Sequence, residues 1–115
     1  MEELNLLECC SQLAREPLGE EEAAGLARAF KALGDPVRLR ILSIVAGHES
    51  GEACVCDLNA SFDLGQPTIS HHLKVLKDAG LLTSQRRASW VYYRLVPDRL
   101  AQLSALLSLP AEMTP

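Results

Sequence analysis

The sequence predicts a mainly α-helical fold with a two-stranded β wing: a winged helix-turn-helix that works as a homodimer. Three observations carry this expectation. Helical apolar spacing, cut by turn residues, dominates residues 20–80. Within it, a short helix candidate, a tight turn and a longer helix follow one another between residues 54 and 80, the order of a helix-turn-helix. The spacing then changes to strict alternation before the last helix, as a strand–hairpin–strand requires.

The first helix is read from "EEEAAGLARAFKALG". Glu20, Glu21 and Glu22 suit the positive end of a helix dipole, and Leu26, Phe30 and Leu33 recur at i, i+4 and i+7 to give one apolar face. Gly34 is placed to stop it. Asp35 can cap the next helix, "PVRLRILSIVAG", with Pro36 at its first position, Val37, Ile41, Ile44 and Val45 on one side, and Gly47 at its close. "ESGE" reads as a linker, "CVCDLNASF" as a short helix and "DLGQ" as a turn. "QPTISHHLKVLKDAG" is a helix from Pro67 in its first turn to Gly80 at its stop. In "LLTSQRRASWVYYRL", Val91, Tyr93 and Leu95 alternate with Trp90, Tyr92 and Arg94. "PDRLAQLSALLSLP" closes the chain with Leu100, Leu103, Leu106 and Leu107.

The totals fit one domain. Of 115 residues, 48% are hydrophobic, which opposes disorder, and only 4% are aromatic, which favours helices packed through aliphatic side chains over a sandwich. No apolar run reaches the ~18 residues that cross a bilayer, so no membrane partner is expected. Glu2, Glu3 and Glu8 make the start acidic and unlike a signal peptide; a cytoplasmic protein is expected, where thiols stay reduced and a disulfide framework is a weak reading of the cysteines. The expected division is an N-terminal arm over 1–18 carrying a Cys pair, a winged-helix DNA-binding and dimerisation domain over 19–109, and a tail over 110–115.

Net charge is −4, but its distribution is uneven. Residues 1–35 carry eight acids against three bases, whereas residues 66–94 carry Lys74, Lys77, Arg86, Arg87 and Arg94 against Asp78 alone. On a helical wheel Ile69, Leu73 and Leu76 form the inner stripe of the longer helix, His72 lies beside it as a half-buried residue, and Ser70, His71 and Lys74 point away. Short or planar hydrogen-bonding side chains near the start of such a helix reach base edges in the major groove, a role that fits Gln66, Thr68, Ser70 and His71. Lys74, Arg86 and Arg87 suit phosphates of double-stranded operator DNA. One copy reads a half-site; the apolar first and last helices are assigned to a dimer interface.

The four cysteines fall in two tight pairs, Cys9–Cys10 and Cys54–Cys56, flanked by Glu8, Ser11, Glu52 and Asp57. Scattered apolar positions would suit mere packing; clustering suits soft-ion ligation. Side chains at i and i+2 of a regular helix diverge by about 200°. Cys54 and Cys56 therefore share an ion only if Cys54 sits outside the first turn, in extended backbone, with further sulfurs coming from Cys9 and Cys10. An enzyme is not expected: no motif orients His48 or His71 beside Cys54, and there is no Gly-rich phosphate loop.

"FKALGDPVRLRIL", "CVCDL", "GQPTISHHLKVLKDAGLL" and "WVYYRL" closely resemble the ArsR/SmtB family of metal-responsive winged-helix repressors, over about residues 20–108. The resemblance implies a homodimeric repressor that leaves its operator on binding an inducer. "CVCDL" is similar to the thiolate site of arsenite repressors and of cadmium/lead repressors, and "ECC" resembles an arsenite-responsive subgroup whose arm donates a Cys pair. That favours As(III) or Sb(III) on Cys9, Cys10 and one of Cys54 or Cys56, Cys54 preferred, with Cd(II) or Pb(II) on all four as the alternative. Zinc sensors of the family use His and carboxylates of the last helix; residues 97–110 offer only Asp98. A thiol-redox sensor is a further alternative, although Glu8, Glu52 and Asp57 work against the reactive thiolate it needs. Members often have Gly at the wing tip, where this chain has "RRAS".

Overall fold

The computed structural model describes residues 16–108. Five helices and three strands follow in the order α1 (Glu20–Leu33), α2 (Pro36–Gly47), β1 (Glu52–Cys54), α3 (Val55–Ala60), α4 (Gln66–Asp78), β2 (Leu82–Arg87), β3 (Trp90–Leu95) and α5 (Pro97–Leu107). The strands form one antiparallel sheet in the order β1-β3-β2.

The helix boundaries follow local chemistry. Asp35 stands in extended backbone at the N-cap of α2 and accepts from the backbone N–H groups of Val37 (2.9 Å) and Arg38 (3.1 Å), with Pro36 at the first helical position. At the far end of α4, Gly80 takes φ +80°. Its N–H donates to the Lys77 carbonyl and that of Leu81 to Leu76, the paired bonds of a Schellman stop. Leu76 and Leu81 are both fully buried, which supplies the apolar contact that accompanies this motif. Gly34 ends α1 differently, at φ −78°, without a left-handed residue.

One core joins the layers. α4 contributes Ile69, Leu73 and Leu76, all fully buried, as the wheel predicts. Against them lie Ile41 and Val45 of α2, Leu58 of α3, Leu81, Leu82 and Leu103. On α1 the buried residues are Leu26, Ala29 and Ala32, while Phe30 and Leu33 are only partly buried at the edge of the core. The expected Leu26/Phe30/Leu33 face is thus rotated. α1 packs against α2, α4 and α5 at once, and small alanines let the backbones approach there.

Two further differences concern the sheet. "ESGE" is not only a linker: Glu52, Ala53 and Cys54 pair antiparallel with Arg94, Tyr93 and Tyr92, giving the wing hairpin a third strand. The hairpin itself runs from Leu82↔Leu95 to Arg87↔Trp90, leaving Ala88 and Ser89 as a two-residue turn. Ala88 has φ +56°, in the left-handed region where its Cβ is crowded. The alanine of "RRAS" therefore occupies a position that suits glycine.

Two outcomes follow. Ala88→Gly should raise unfolding stability by about 0.5–1 kcal/mol in urea denaturation, the relief of the left-handed Cβ exceeding the added chain entropy. For Asp35, the hydrogen bond from the Arg38 backbone, with the Arg38 guanidinium nearby, holds the carboxyl below its ordinary range against a smaller opposing effect of burial. A depressed folded-state pKa means the cap's contribution is complete above the unfolded-chain value near ~4 and is lost as pH falls through the folded value. Asp35→Ala should thus melt several degrees below the parent at pH 7, and thermal melts between pH 5 and 2 should show the gap closing.

Candidate nucleic-acid interface and thiol site

The helix-turn-helix is α3, the turn over 61–65 and α4. Leu58 anchors α3, and Phe62 turns into the core beneath the Arg40 guanidinium, 4.6 Å from its ring centroid. Ser61 Oγ donates to the Asp57 carbonyl at 2.8 Å and closes the end of α3. Ile69, Leu73 and Leu76 of α4 are held inward, while Gln66, Thr68, Ser70, His71 and Lys74 are exposed. All five residues that the sequence assigns to DNA on this helix are thus open to solvent, Gln66 by its place in the first turn.

His72 is tucked in, with its side chain 13% exposed. Arg38 donates to its Nδ1 at 3.2 Å, since a guanidinium has only donors, and also donates through Nε to the Ala32 carbonyl. Arg38 thereby ties the end of α1 and the start of α2 to the middle of α4. Sequence reasoning missed this residue; "DPVRLRIL" contains it, but its partners lie on two other helices.

The wing is less uniform than expected. Lys77 donates to Ser84 Oγ at 2.7 Å, which pins the end of α4 to β2. Arg86 is exposed. Arg87, its neighbour on the opposite face of the strand, is engaged within the chain: Nη1 donates to Glu52 Oε1 at 2.6 Å and Nη2 to Glu52 Oε2 at 3.0 Å. Nη2 also donates to Gln85, and the guanidinium lies 4.6 Å from the Tyr92 ring centroid. Arg94 Nε approaches the same Glu52 carboxylate at 3.9 Å. The Arg87 hydrogen bond is the main reason the Glu52 carboxyl sits below its usual range, and the same bond raises the Arg87 guanidinium.

Cys54 is the last residue of β1 and the N-cap of α3, at φ −70°, ψ 143°. This is the extended position that sharing requires. Its Sγ accepts from the Cys56 backbone N–H at 3.2 Å. The Cα atoms are 5.2 Å apart and the two sulfurs meet as a disulfide, which departs from the reduced state expected. Cys54 is buried and Cys56 exposed. Nearby, the His48 ring joins α2 to α3, with Nδ1 on the Ile44 carbonyl at 2.8 Å and Nε2 3.8 Å from Asp57. Cys9 and Cys10 lie outside the described residues. Among the described residues no three His, Cys, Asp or Glu side chains gather as a metal site.

Residues 35–84 match the family model described as bacterial regulatory protein, arsR family. The chain is 44% identical over 79 residues to an arsenical resistance operon repressor of Bacillus subtilis, covering 69% of this chain and 70% of that protein. The chain belongs to the ArsR family. It is a family of helix-turn-helix regulators, not of enzymes. The chain is also 33% identical over 90 residues to a cadmium resistance transcriptional regulatory protein homologue of Staphylococcus aureus, covering 78% of this chain and 73% of that one. Other arsenic-resistance regulators are longer, and the aligned part spans 56–59% of their length. Among solved structures, one of a possible transcriptional regulator for arsenical resistance superposes with a TM-score of 0.61 at 39% identity, covering 69% of this chain and 78% of that one. No helix among the described residues is long and apolar enough to cross a membrane.

Proposed function

We propose that this ArsR/SmtB-family transcriptional repressor binds operator DNA as a homodimer and is released when As(III) or Sb(III) binds its cysteine thiolates. The observation that carries the reading is the place of Cys54: an extended N-cap of α3 whose sulfur meets that of Cys56. A soft ion held there acts on the first helix of the helix-turn-helix. A pyramidal trivalent arsenic takes three sulfurs, here those of Cys9 and Cys10 of the arm with one of Cys54 or Cys56, Cys54 preferred. Cd(II) or Pb(II) on all four thiolates is the runner-up, and the likeness to a cadmium regulator keeps it in play.

On DNA, Gln66, Thr68, Ser70 and His71 read base edges while Lys74 and Arg86 meet phosphates; Arg87, expected to join them, is instead bonded to Glu52. Partly buried Phe30, Leu100 and Leu106, with Leu107 70% exposed, give α1 and α5 an apolar remainder for a second copy to cover. Ion binding displaces the start of α3 and shifts the paired recognition helices out of register with successive major grooves. The ion must bind the DNA-incompetent form more tightly; a difference of ~3 kcal/mol weakens operator binding about a hundredfold.

A second reading, a thiol-redox repressor, has its own observation: the Cys54–Cys56 disulfide. Ultraviolet titration of reduced protein separates the readings, because thiolate-to-metal charge transfer reports sulfur coordination. The expected result is an arsenite band saturating at about one equivalent per subunit and lost when Cys9 and Cys10 become Ser. A band with cadmium alone changes the inducer; no band with either, together with DNA release by a disulfide oxidant, moves the redox reading to the front.

Two variants extend the test. Cys54→Ser should bind DNA as the parent does and no longer leave it on adding arsenite, measured by fluorescence anisotropy; release by arsenite would show the thiol assignment to be wrong. Lys74→Ala should weaken binding to a selected operator and to random duplex alike and flatten the slope of log K against log salt by ~0.9, whereas His71→Ala should narrow the preference for the operator.

A further inference from the structure

The bidentate pair between Glu52 and Arg87 has the shape of a protein–phosphate contact. A carboxylate and a phosphate each offer a guanidinium two oxygens in one plane, so they compete for it. Glu52 is well placed to compete. Its side chain is only 15% exposed, on a strand held in the sheet, whereas Arg87 is 46% exposed and borders the turn of the wing. Gln85 and the Tyr92 ring hold the same guanidinium from its own hairpin, so both Nη atoms of Arg87 are engaged inside the chain. Arg94 Nε also approaches this carboxylate, at 3.9 Å.

We propose that Glu52 is a positioning residue that sequesters Arg87 from DNA, an internal phosphate mimic that lowers the wing's affinity for the duplex. The proposal rests on the DNA-binding reading above and adds to it a residue that acts against binding. Glu52 itself touches no DNA; it acts through Arg87. The arginine pairs with Glu52 or with a phosphate; on leaving for a phosphate it gives up Glu52 to the Arg94 guanidinium, 3.9 Å away.

The test is a double-mutant cycle on the full chain, reduced and without metal, using Glu52→Gln, Arg87→Ala and the double variant. The probe is a fluorescein-labelled random-sequence 30-base-pair duplex, titrated between 50 and 200 mM salt. Glutamine keeps the size and the strand but loses the charge. In Glu52→Gln the freed arginine should make the slope of log K against log salt steeper by ~0.9 and tighten low-salt binding roughly fivefold. Arg87→Ala should change neither quantity in the parent and should abolish the gain in the Glu52→Gln background. A gain that persists in the double variant is a general charge effect and overturns the proposal. So does an Arg87→Ala loss that is equal in both backgrounds, since the arginine would then already be on DNA.

Far-UV circular dichroism melts establish folding. Should Glu52→Gln not fold, Glu52→Asp, which keeps the charge but shortens the reach, must give a smaller gain in the same direction; no gain counts against the proposal. If the parent and all variants fail to bind the duplex, the DNA reading falls and the sequestration falls with it. If the parent binds and the four slopes coincide, only the sequestration falls.

Discussion

Burial of Ile69, Leu73 and Leu76 fixes the rotation of α4, and the outward chemistry of the molecule depends on that rotation. The three side chains are fully enclosed by α2, α3 and the first residues of β2. Each such burial stabilises by about 1.5–3 kcal/mol, so turning the helix to present a different face would expose several at once. The rotation of the polar residues of α4 is therefore set by its apolar ones. Phe62 extends the same constraint to the turn before α4, since its burial sets how α3 enters the motif.

A second layer of constraint is polar and sits where α1, α2 and α4 meet. Asp35 caps α2 while approaching His72 at 4.0 Å; Arg38 spans from the Ala32 carbonyl to the His72 ring. The apolar core sets the rotation of α4, and this cluster sets its position along the neighbouring helices. It also explains why His72 and not His71 is held: the two rings are tilted 55° to each other at 5.8 Å, one toward the cluster and one in solvent.

Much of this was legible in the sequence because it is local. The cap at Asp35, the stop at Gly80, the stripe of α4 and the alternation of β3 each depend on residues within a turn or two of one another. Family motifs then connected these elements into one architecture. What escaped was set by distance or by size. β1 is three residues long, too short to show a period, and its partner lies some forty residues on. Glu52 and Arg87 are 35 positions apart, and no local pattern announces their pairing. On α1, Phe30 and Leu33 look like the natural core by hydrophobicity, yet Ala29 and Ala32 occupy the crowded side, where close backbone approach favours small side chains. The wing turn was uncertain from "RRAS" because alanine signals no turn type, although its φ proves glycine-like. At the thiols, the need for an extended Cys54 was readable from helix geometry alone; the strand that holds it extended was not.

That strand has a mechanical consequence. Cys54 is bonded along the chain to the first turn of α3 and lies across from Tyr92 of the wing. A displacement at this one residue has two outlets of different stiffness. One passes through a six-residue helix and a turn into α4. The other passes sideways through a hydrogen-bonded ladder into the hairpin. The helix-turn-helix and the wing thus share a single pivot, and neither can be re-aimed from it without loading the other.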